Sequence, residues 1–492
     1  MKIQWVQHLR AAGSIIVFGV VSLKAENGKS EVDSSKSNEI APARAESDAT
    51  RSWSQKVRSF LEQDYLLGDW GGTRTALSKR GVDFEFFYLG AVPSNLSGGI
   101  KGGSVYEGAL LMTLDLDSQK LAGYEGGHFH AGSLWIHNGR EFSANFVGDL
   151  NKVSLIDFPD SFRLWELWYE QKFFDGKVSL KLGELSIDRD FIVPEYYNSL
   201  ASINFLNQTF FYPTLAFNLY DIQGFPPGNH ALATTPYSAP GVRLRWDPTE
   251  KYYAQAAVYG GNPDRSHSGT HFNLSEDEGA LAYFEIGYRH NQGKTDKGLP
   301  GSYKIGGYFH TDDFVDVYDG ATGVIAGALG VPANQPRTYP NNYGVYFLAE
   351  QMLYREQKKE DPAGQGLIGF FRVAGAPNDR NLTQFGIDGG FVYKGLIPGR
   401  DYDSIGIAAS YLEISDDIRR AQRDANSAYG ALGLDLPLAD YETVFEFSYK
   451  AQVTAWWTLQ PSIQWVLHPG GRTTSTVIPD AVVFILQTSV RF

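Results

Sequence analysis

AVVFILQTSVRF, residues 481–492, alternates to its last residue. Val482, Phe484, Leu486, Thr488 and Val490 share a mostly apolar face, while Gln487, Ser489 and Arg491 share a polar one. A period of two with one oily and one polar face is the mark of a half-exposed strand. A soluble protein usually buries such a strand before the last residue, yet here it runs out to Phe492. The oily face therefore meets either a protein core or lipid, and the rest of the chain has to decide which.

The 492 residues include 53 Gly, 31 Phe, 28 Tyr and 10 Trp, a composition suited to strands, turns and aromatic girdles. A mean hydropathy of -0.27 excludes a bundle of membrane helices. Lys2 and Arg10 flank the start of an apolar run, Ala11–Leu23, that reads as a signal peptide over residues 1–25. No later stretch reaches the ~18 apolar residues of a spanning helix. A membrane form of this chain must then be a barrel, which satisfies its backbone groups between strands. The net charge of -13 argues against a nucleic-acid partner. The absence of Cys rules out disulfides, thiolate metal sites and a Cys nucleophile. Residues 26–52 are Ser, Ala, Glu, Asp and Lys with almost no large apolar residue, which predicts a disordered polar linker. Val57, Phe60, Leu61 and Tyr65 recur at helical spacing and predict a short amphipathic helix within Trp53–Leu67. With the turn-rich Gly68–Gly72, it makes segment 53–81 the lead into a barrel over 82–492.

From Val82 onward alternation dominates. Thr443, Phe445, Phe447, Tyr449, Ala451 and Val453 oppose Glu442, Glu446, Ser448, Lys450 and Gln452. Leu110, Met112, Leu114 and Leu116 oppose Glu107, Thr113, Asp115 and Asp117. Trp165, Leu167, Tyr169 and Phe173 oppose Glu166, Trp168, Glu170 and Lys172. About sixteen segments approach the ~9–11 residues of a tilted crossing. They start near Val82, Tyr106, His128, Leu164, Val178, Gly241, Tyr252, Ala282, Ser302, Asn342, Leu367, Leu382, Ser404, Glu442, Trp457 and Ala481. Their spacers sort into short ones (Asp175–Lys177, Asp247–Lys251, Thr454–Trp456) and long ones (Gly139–Arg163, Leu185–Pro240, Thr311–Asn341, Ser415–Tyr441). Short periplasmic turns alternating with long external loops mark an outer-membrane barrel. The expected fold is all-β: a closed antiparallel transmembrane β-barrel of about 16 strands with a short N-terminal periplasmic helix and both termini periplasmic. Lipid is then what the oily face of 481–492 meets.

LGDWGGTR at Leu67–Arg74, followed by LSKRGVDFEF, resembles the opening of the carbohydrate-selective porins, the OprB family. Further pieces are similar to the family in order: SGGIKGGSVYEGALLMTLDLD, then LAGYEGGHFHAGSLWIHNG with FVGDLNKVS, then FRLWELWYEQKFFDGKVSLKLGEL. APGVRLRWDPTEKYYAQAAVYGGNP and ETVFEFSYKAQVTAWWTLQPSIQWVLHPGG complete the set, so the resemblance runs from about Leu67 to Phe492. It implies a sixteen-stranded pore for sugar uptake in the bacterial outer membrane. The terminal strand ending in Phe492 looks like the signal read by the barrel-assembly machinery. Two departures stand out: the polar extension before Trp53 is long, and the loops Thr311–Asn341 and Ser415–Tyr441 carry no family motif.

A barrel of about sixteen strands holds an aqueous channel unless loops fold into it. The longest spacer, 185–240, is the expected constriction loop, and it carries Phe205, Phe210, Phe211 and Tyr212 among other aromatics. Two readings stand: an aromatic track for the flat C–H faces of sugars, or a plug packed on itself. Parity selects the polar candidates for the channel. Glu166, Trp168 and Glu170 precede the loop, Arg243 and Arg245 follow it, and Glu446 faces inward on a later strand. Carboxylate and guanidinium groups suit paired hydrogen bonds with sugar hydroxyls, or else they satisfy one another across the wall. Asp188, Arg189 and Asp190 form a cluster suited to pinning the loop. His128 and His130 form an H-x-H pair without a third ligand nearby, which reads as solvated barrel histidines rather than a metal site. SGGIKGGS lacks the ending of a phosphate loop, and no Ser/His/acid set has catalytic spacing. The expected function is passive, selective diffusion of mono- or oligosaccharides, with no enzyme activity, cofactor, metal or nucleic acid. A less selective or anion-passing porin and a plugged structural barrel are the alternatives, and the pattern leaves the oligomeric state open.

Overall fold

The structure, a computed structural model, describes residues 52–193, 204–211, 232–275, 278–293, 296–356 and 364–492. The expected signal peptide and nearly all of the linker lie outside the described residues, as do Tyr196, Tyr197, Tyr212, Phe217 and Tyr220 of the expected constriction loop.

Sixteen long strands form one closed antiparallel sheet. They are β1 (Val82–Ser97), β2 (Glu107–Asp117), β3 (Gly127–His137), β4 (Ser161–Phe173), β5 (Val178–Leu185), β6 (Ala239–Trp246), β7 (Tyr252–Gly260) and β8 (Ala280–His290). There follow β9 (Gly301–His310), β10 (Asn342–Arg355), β11 (Gly366–Gly375), β12 (Thr383–Lys394), β13 (Ser404–Ile414), β14 (Tyr441–Thr454), β15 (Trp457–Leu467) and β16 (Ala481–Arg491). Each pairs with its chain neighbours, and β1 pairs with both β2 and β16, which closes the wall. Every expected strand start falls within a few residues of an observed one. Among the described residues no helix is long and apolar enough to cross a membrane.

The wall is inverted relative to a soluble protein. Phe445, Phe447 and Trp465 are 45%, 48% and 51% exposed, whereas Glu446 and Gln464 on the same strands are 3% and 0% exposed. Cross-strand register extends the oily stripe from Phe445 to Trp465, and from Ile463 to Phe484. A contiguous apolar belt of this kind is stable only against lipid. At one rim the chain reverses tightly: Phe174, Asp175 and Gly176 between β4 and β5 all take positive φ.

Strict alternation fails in two informative places. The pattern puts Trp165 on the outer face, but a bulge sets Glu166 opposite Gly132 and Leu164 opposite Ser133, leaving Trp165 as the extra residue. A bulge turns one side chain across the sheet, so Trp165 is fully buried with the Arg189 guanidinium 4.8 Å over its ring. Second, Phe87, Leu89, Leu111, Leu134, Ile136, Val483 and Ile485 face inward although apolar. They meet Phe142, Val153, Leu155, Ile156 and Phe158 of the loop after β3, and Phe205, Leu206 and Phe210 of the loop after β5. The hydrophobic core of this protein lies inside the barrel, between the wall and two loops.

The helices depart from expectation. α1 (Trp53–Leu61) starts with a capping box between Ser52 and Gln55 but stops at Leu61, short of Leu67. The next residues are used differently, laying Tyr65 and Leu66 against the seam of the barrel. α2 (Thr73–Lys79) was not expected. The LGDWGGTR piece makes it: Trp70, Gly71 and Gly72 turn through left-handed φ, and the Asp69 carboxylate accepts the Thr75 N–H at 2.8 Å and its hydroxyl at 2.9 Å. The turn aims Arg74, which stacks on Tyr65 (3.7 Å) and Trp70 (4.4 Å) and donates to the carbonyls of Phe84 (3.3 Å) and Phe492. Phe492 N–H donates to Phe86 (2.9 Å), Leu66 N–H to Arg491 (2.8 Å), and Arg491 pairs with Glu85 at 3.2 Å. The N-terminal segment thus clamps first and last strands together. The two loops without a recognisable motif contain α3 (Val317–Ala328) and α4 (Asp416–Tyr429), which pack on each other with Tyr318 donating to Asp424 at 2.8 Å.

Candidate functional site

The lumen is organised by inward polar side chains that hold loop backbone. Glu446 on β14 accepts the N–H of Leu206 (2.7 Å), the N–H of Asn207 (2.8 Å) and the Ser462 hydroxyl (2.7 Å). Four residues away on the same face, Glu442 accepts the N–H groups of Leu150 (2.7 Å), Asn151 (2.9 Å) and Gly470 (2.8 Å). Gln464 on β15 bridges both loops, donating to the Val153 carbonyl (2.8 Å) and accepting from Asn207 (3.0 Å). The loops also meet directly, Gln208 N–H donating to Lys152 at 2.8 Å. On the other side of the barrel Glu285 accepts from Ile192 N–H (2.9 Å), Tyr253 (2.7 Å) and Tyr346 (3.0 Å). Arg372 pairs with Asp388 at 2.7 Å and donates to the Thr209 carbonyl at 2.9 Å. A buried carboxylate is tolerable only when charged or hydrogen-bonded partners replace water, and loop N–H groups supply them here.

The charged candidates around the constriction loop form one network. Arg243 donates to Glu170 (2.7 Å) and Ser179 (2.6 Å) and lies 3.4 Å from Asp190. Lys181 pairs with Asp190 at 2.7 Å, and Arg189 lies 3.4 Å from Glu166. Asp188 accepts from Thr235 N–H (2.9 Å) and hydroxyl (2.6 Å), tying the two ends of the loop. Burial alone would push the Asp190 carboxyl up, but Lys181 and Arg243 outweigh it and hold it below the usual carboxylate range. Glu166, Glu170 and Arg243 are all buried in this network. Trp168 is buried too, its ring stacked on His130 (4.8 Å) with Lys181 Nζ 4.4 Å from its centroid. His130 is fully buried rather than solvated as expected, because it and His128 both bond Asp115 Oδ1, at 2.8 and 2.9 Å. Among the described residues no group of His, Cys, Asp or Glu is arranged to hold a metal.

Arg245 differs from its neighbours in keeping solvent contact. Its guanidinium lies 4.1 Å over Tyr253, as Arg289 does at 5.0 Å, and both bond Asp247, at 2.9 and 2.7 Å. Lys172 and His128 also stay partly exposed on the same wall. Of the aromatic candidates, Phe205 and Phe210 are wholly buried, 5.2 Å apart and packed on Phe370 of β11. Phe211 is half-buried against the same core. The reading from parity did not anticipate Glu442, Glu285, Lys181, Arg372 or the infolding of the loop after β3. Glu442 shares the face of Glu446 four residues away, so the signal was there; what it bonds was not.

A closed barrel with an apolar outer belt, a polar lumen and long loops folded inside is an outer-membrane porin. Residues 101–492 match the family described as carbohydrate-selective porin, OprB family. Porin B of Pseudomonas aeruginosa is 28% identical over 424 residues, covering 83% of this chain and 87% of that one. A high-pH structure of Pseudomonas putida OprB superposes with a TM-score of 0.73 at 26% identity, over 88% of this chain and 99% of that chain. A low-pH structure of Pseudomonas putida OprB, with a TM-score of 0.51 at 18% identity over the same shares, supports the fold. The chain belongs to the OprB family of carbohydrate-selective porins. It resides in the outer membrane and serves the diffusion of carbohydrates across it.

Proposed function

We propose that the two kinds of lumen residue divide the work of a passive sugar channel. The buried set, Glu166, Trp168, Glu170, Arg243 and Glu446, holds the constriction loop at fixed width, with Phe205, Phe210 and Phe211 as its apolar footing. The partly exposed set, led by Arg245 with Arg289 and Asp247, meets the solute, and the buried Tyr253 ring supports the two guanidinium groups from beneath. The observation that carries this division is burial: Glu166, Trp168, Glu170, Arg243 and Glu446 are all buried, while Arg245, lying over the Tyr253 ring, keeps part of its guanidinium in solvent. Such a surface offers hydroxyls several weak partners, strong enough to favour entry and weak enough to permit exit. Tyr212 lies outside the described residues and remains a candidate for the solute path. The strand ending in Phe492 is the segment we assign to recognition by the barrel-assembly machinery.

Single-channel recording with added monosaccharide tests the division. Arg245→Ala should weaken sugar block several-fold with the open current little changed. Glu446→Gln should instead make the current noisy. Equal loss of block from both, or none from Arg245→Ala, would remove the assignment. A silent channel in the wild-type protein would favour the plugged structural barrel.

A further inference from the structure

Helix α1 is the least explained part of the described chain. None of its residues is buried. Trp53, Val57, Phe60 and Leu61 share one face at the i, i+4, i+7, i+8 spacing of an amphipathic helix. Trp53 is 79% exposed, which is a large uncovered area for the biggest side chain. The opposite face carries Gln55, Arg58 and Ser59, and Arg58 pairs with Glu62 at 2.9 Å.

The position of the helix tells what covers it. Phe60 packs edge-on against Trp456 at 5.3 Å, and the Trp456 indole N–H donates to the Phe60 carbonyl at 3.3 Å. Trp456 in turn stacks on Trp457 at 6.2 Å. Trp457 opens β15 on the outer face, where its N–H donates to Thr488 Oγ1 at 2.8 Å. The apolar face of α1 is therefore continuous, through two tryptophans, with the lipid-facing belt at its periplasmic edge. Leu61 lies beside Val453 around a cavity of about 220 Å³ that also touches Tyr402. Exposed apolar residues at the neighbouring turns, Leu396, Ile397 and Val453, belong to the same rim. Tryptophan at this level is the usual anchor at a membrane interface.

We infer that α1 is an interfacial helix lying in the periplasmic leaflet of the outer membrane, with phospholipid as the partner of Trp53 and Val57 and the barrel rim as the partner of Phe60 and Leu61. Lys56 flanks the apolar face, where an amine on a long stem reaches anionic headgroups. The helix would tether the segment before it to the membrane surface and keep it clear of the channel mouth.

The chain has no cysteine, so single-cysteine spin labels report cleanly. Full-length protein carrying one nitroxide at 53, 55, 57 or 59 is reconstituted in phosphatidylethanolamine–phosphatidylglycerol bilayers, with heat-modifiable gel mobility confirming a folded barrel. Labels at 53 and 57 should be several-fold more accessible to oxygen than to a water-soluble nickel chelate, and labels at 55 and 59 the reverse. Four aqueous labels would overturn the inference. Spin–spin broadening at 53 and 57 that vanishes on dilution with unlabelled protein would overturn it in favour of a second copy as the partner.

Discussion

Glu446→Gln is the sharpest perturbation of the constriction loop. Oε1 of Glu446 accepts Leu206 N–H and the Ser462 hydroxyl, and Oε2 accepts Asn207 N–H. Glutamine keeps the first pair with its oxygen but turns an amide donor toward Asn207 N–H. One charge-assisted bond is lost and one buried N–H is stranded, which costs about 3 kcal/mol. That corresponds to about a hundredfold change in the local opening equilibrium. Hydrogen–deuterium exchange reads it directly: the amides of 206 and 207 should exchange about a hundredfold faster, with the β14 ladder unchanged. Glu442→Gln is the control and should free 150 and 151 first. Unaltered protection at 206 and 207 would refute the claim that this carboxylate holds the loop.

Arg243→Ala removes one of the two cations between Glu170 and Asp190 and leaves only Lys181, so loop protection should fall more than in the Arg243→Ala, Glu170→Ala double variant; equal losses in exchange would mean the pair is uncoupled. Arg74→Ala removes the clamp on Phe84 and Phe492 and two cation–π contacts worth about 0.5–2 kcal/mol each. The barrel should still form, with heat-modifiable migration lost at a lower temperature. Acid acts on Asp190, whose carboxyl is held below its ordinary value, so its contribution is full above the unfolded Asp value of about 3.9. That contribution falls away as pH drops through the depressed native value. Protection near residue 190, measured as exchange relative to the intrinsic amide rate at each pH, should therefore be flat between neutral pH and about pH 5 and fall only in stronger acid.

The wall was legible because each strand carries its own period. Phe445 and Glu446 name their faces without reference to anything distant. The lumen was less so, since parity says that Glu446 points inward but not that Leu206 and Asn207 come from 240 and 239 residues away to meet it. Trp165 misled because one bulge shifts one side chain across the sheet while leaving the pattern around it intact. Leu111 and Ile136 look like breaks in the alternation until the loop after β3 is seen to cover them. Helices α3 and α4 escaped notice because each buried face holds only one large apolar residue: Val317 beside Gly320, Ala321 and Ala326 on one, and Ile418 beside Asp417, Ala421, Gln422 and Ala425 on the other. LGDWGGTR was recognised as a motif, but its purpose as a clamp on the seam required the fold.

The account stands most directly on whether this barrel conducts and whether sugar competes for its lumen. Purified protein inserted in planar bilayers should give steady single-channel currents that fall in a saturable way as a neutral sugar is added, with Arg245→Ala shifting the half-blocking concentration upward. Currents that are absent, or that decline only in proportion to solution viscosity with no saturation, would contradict it.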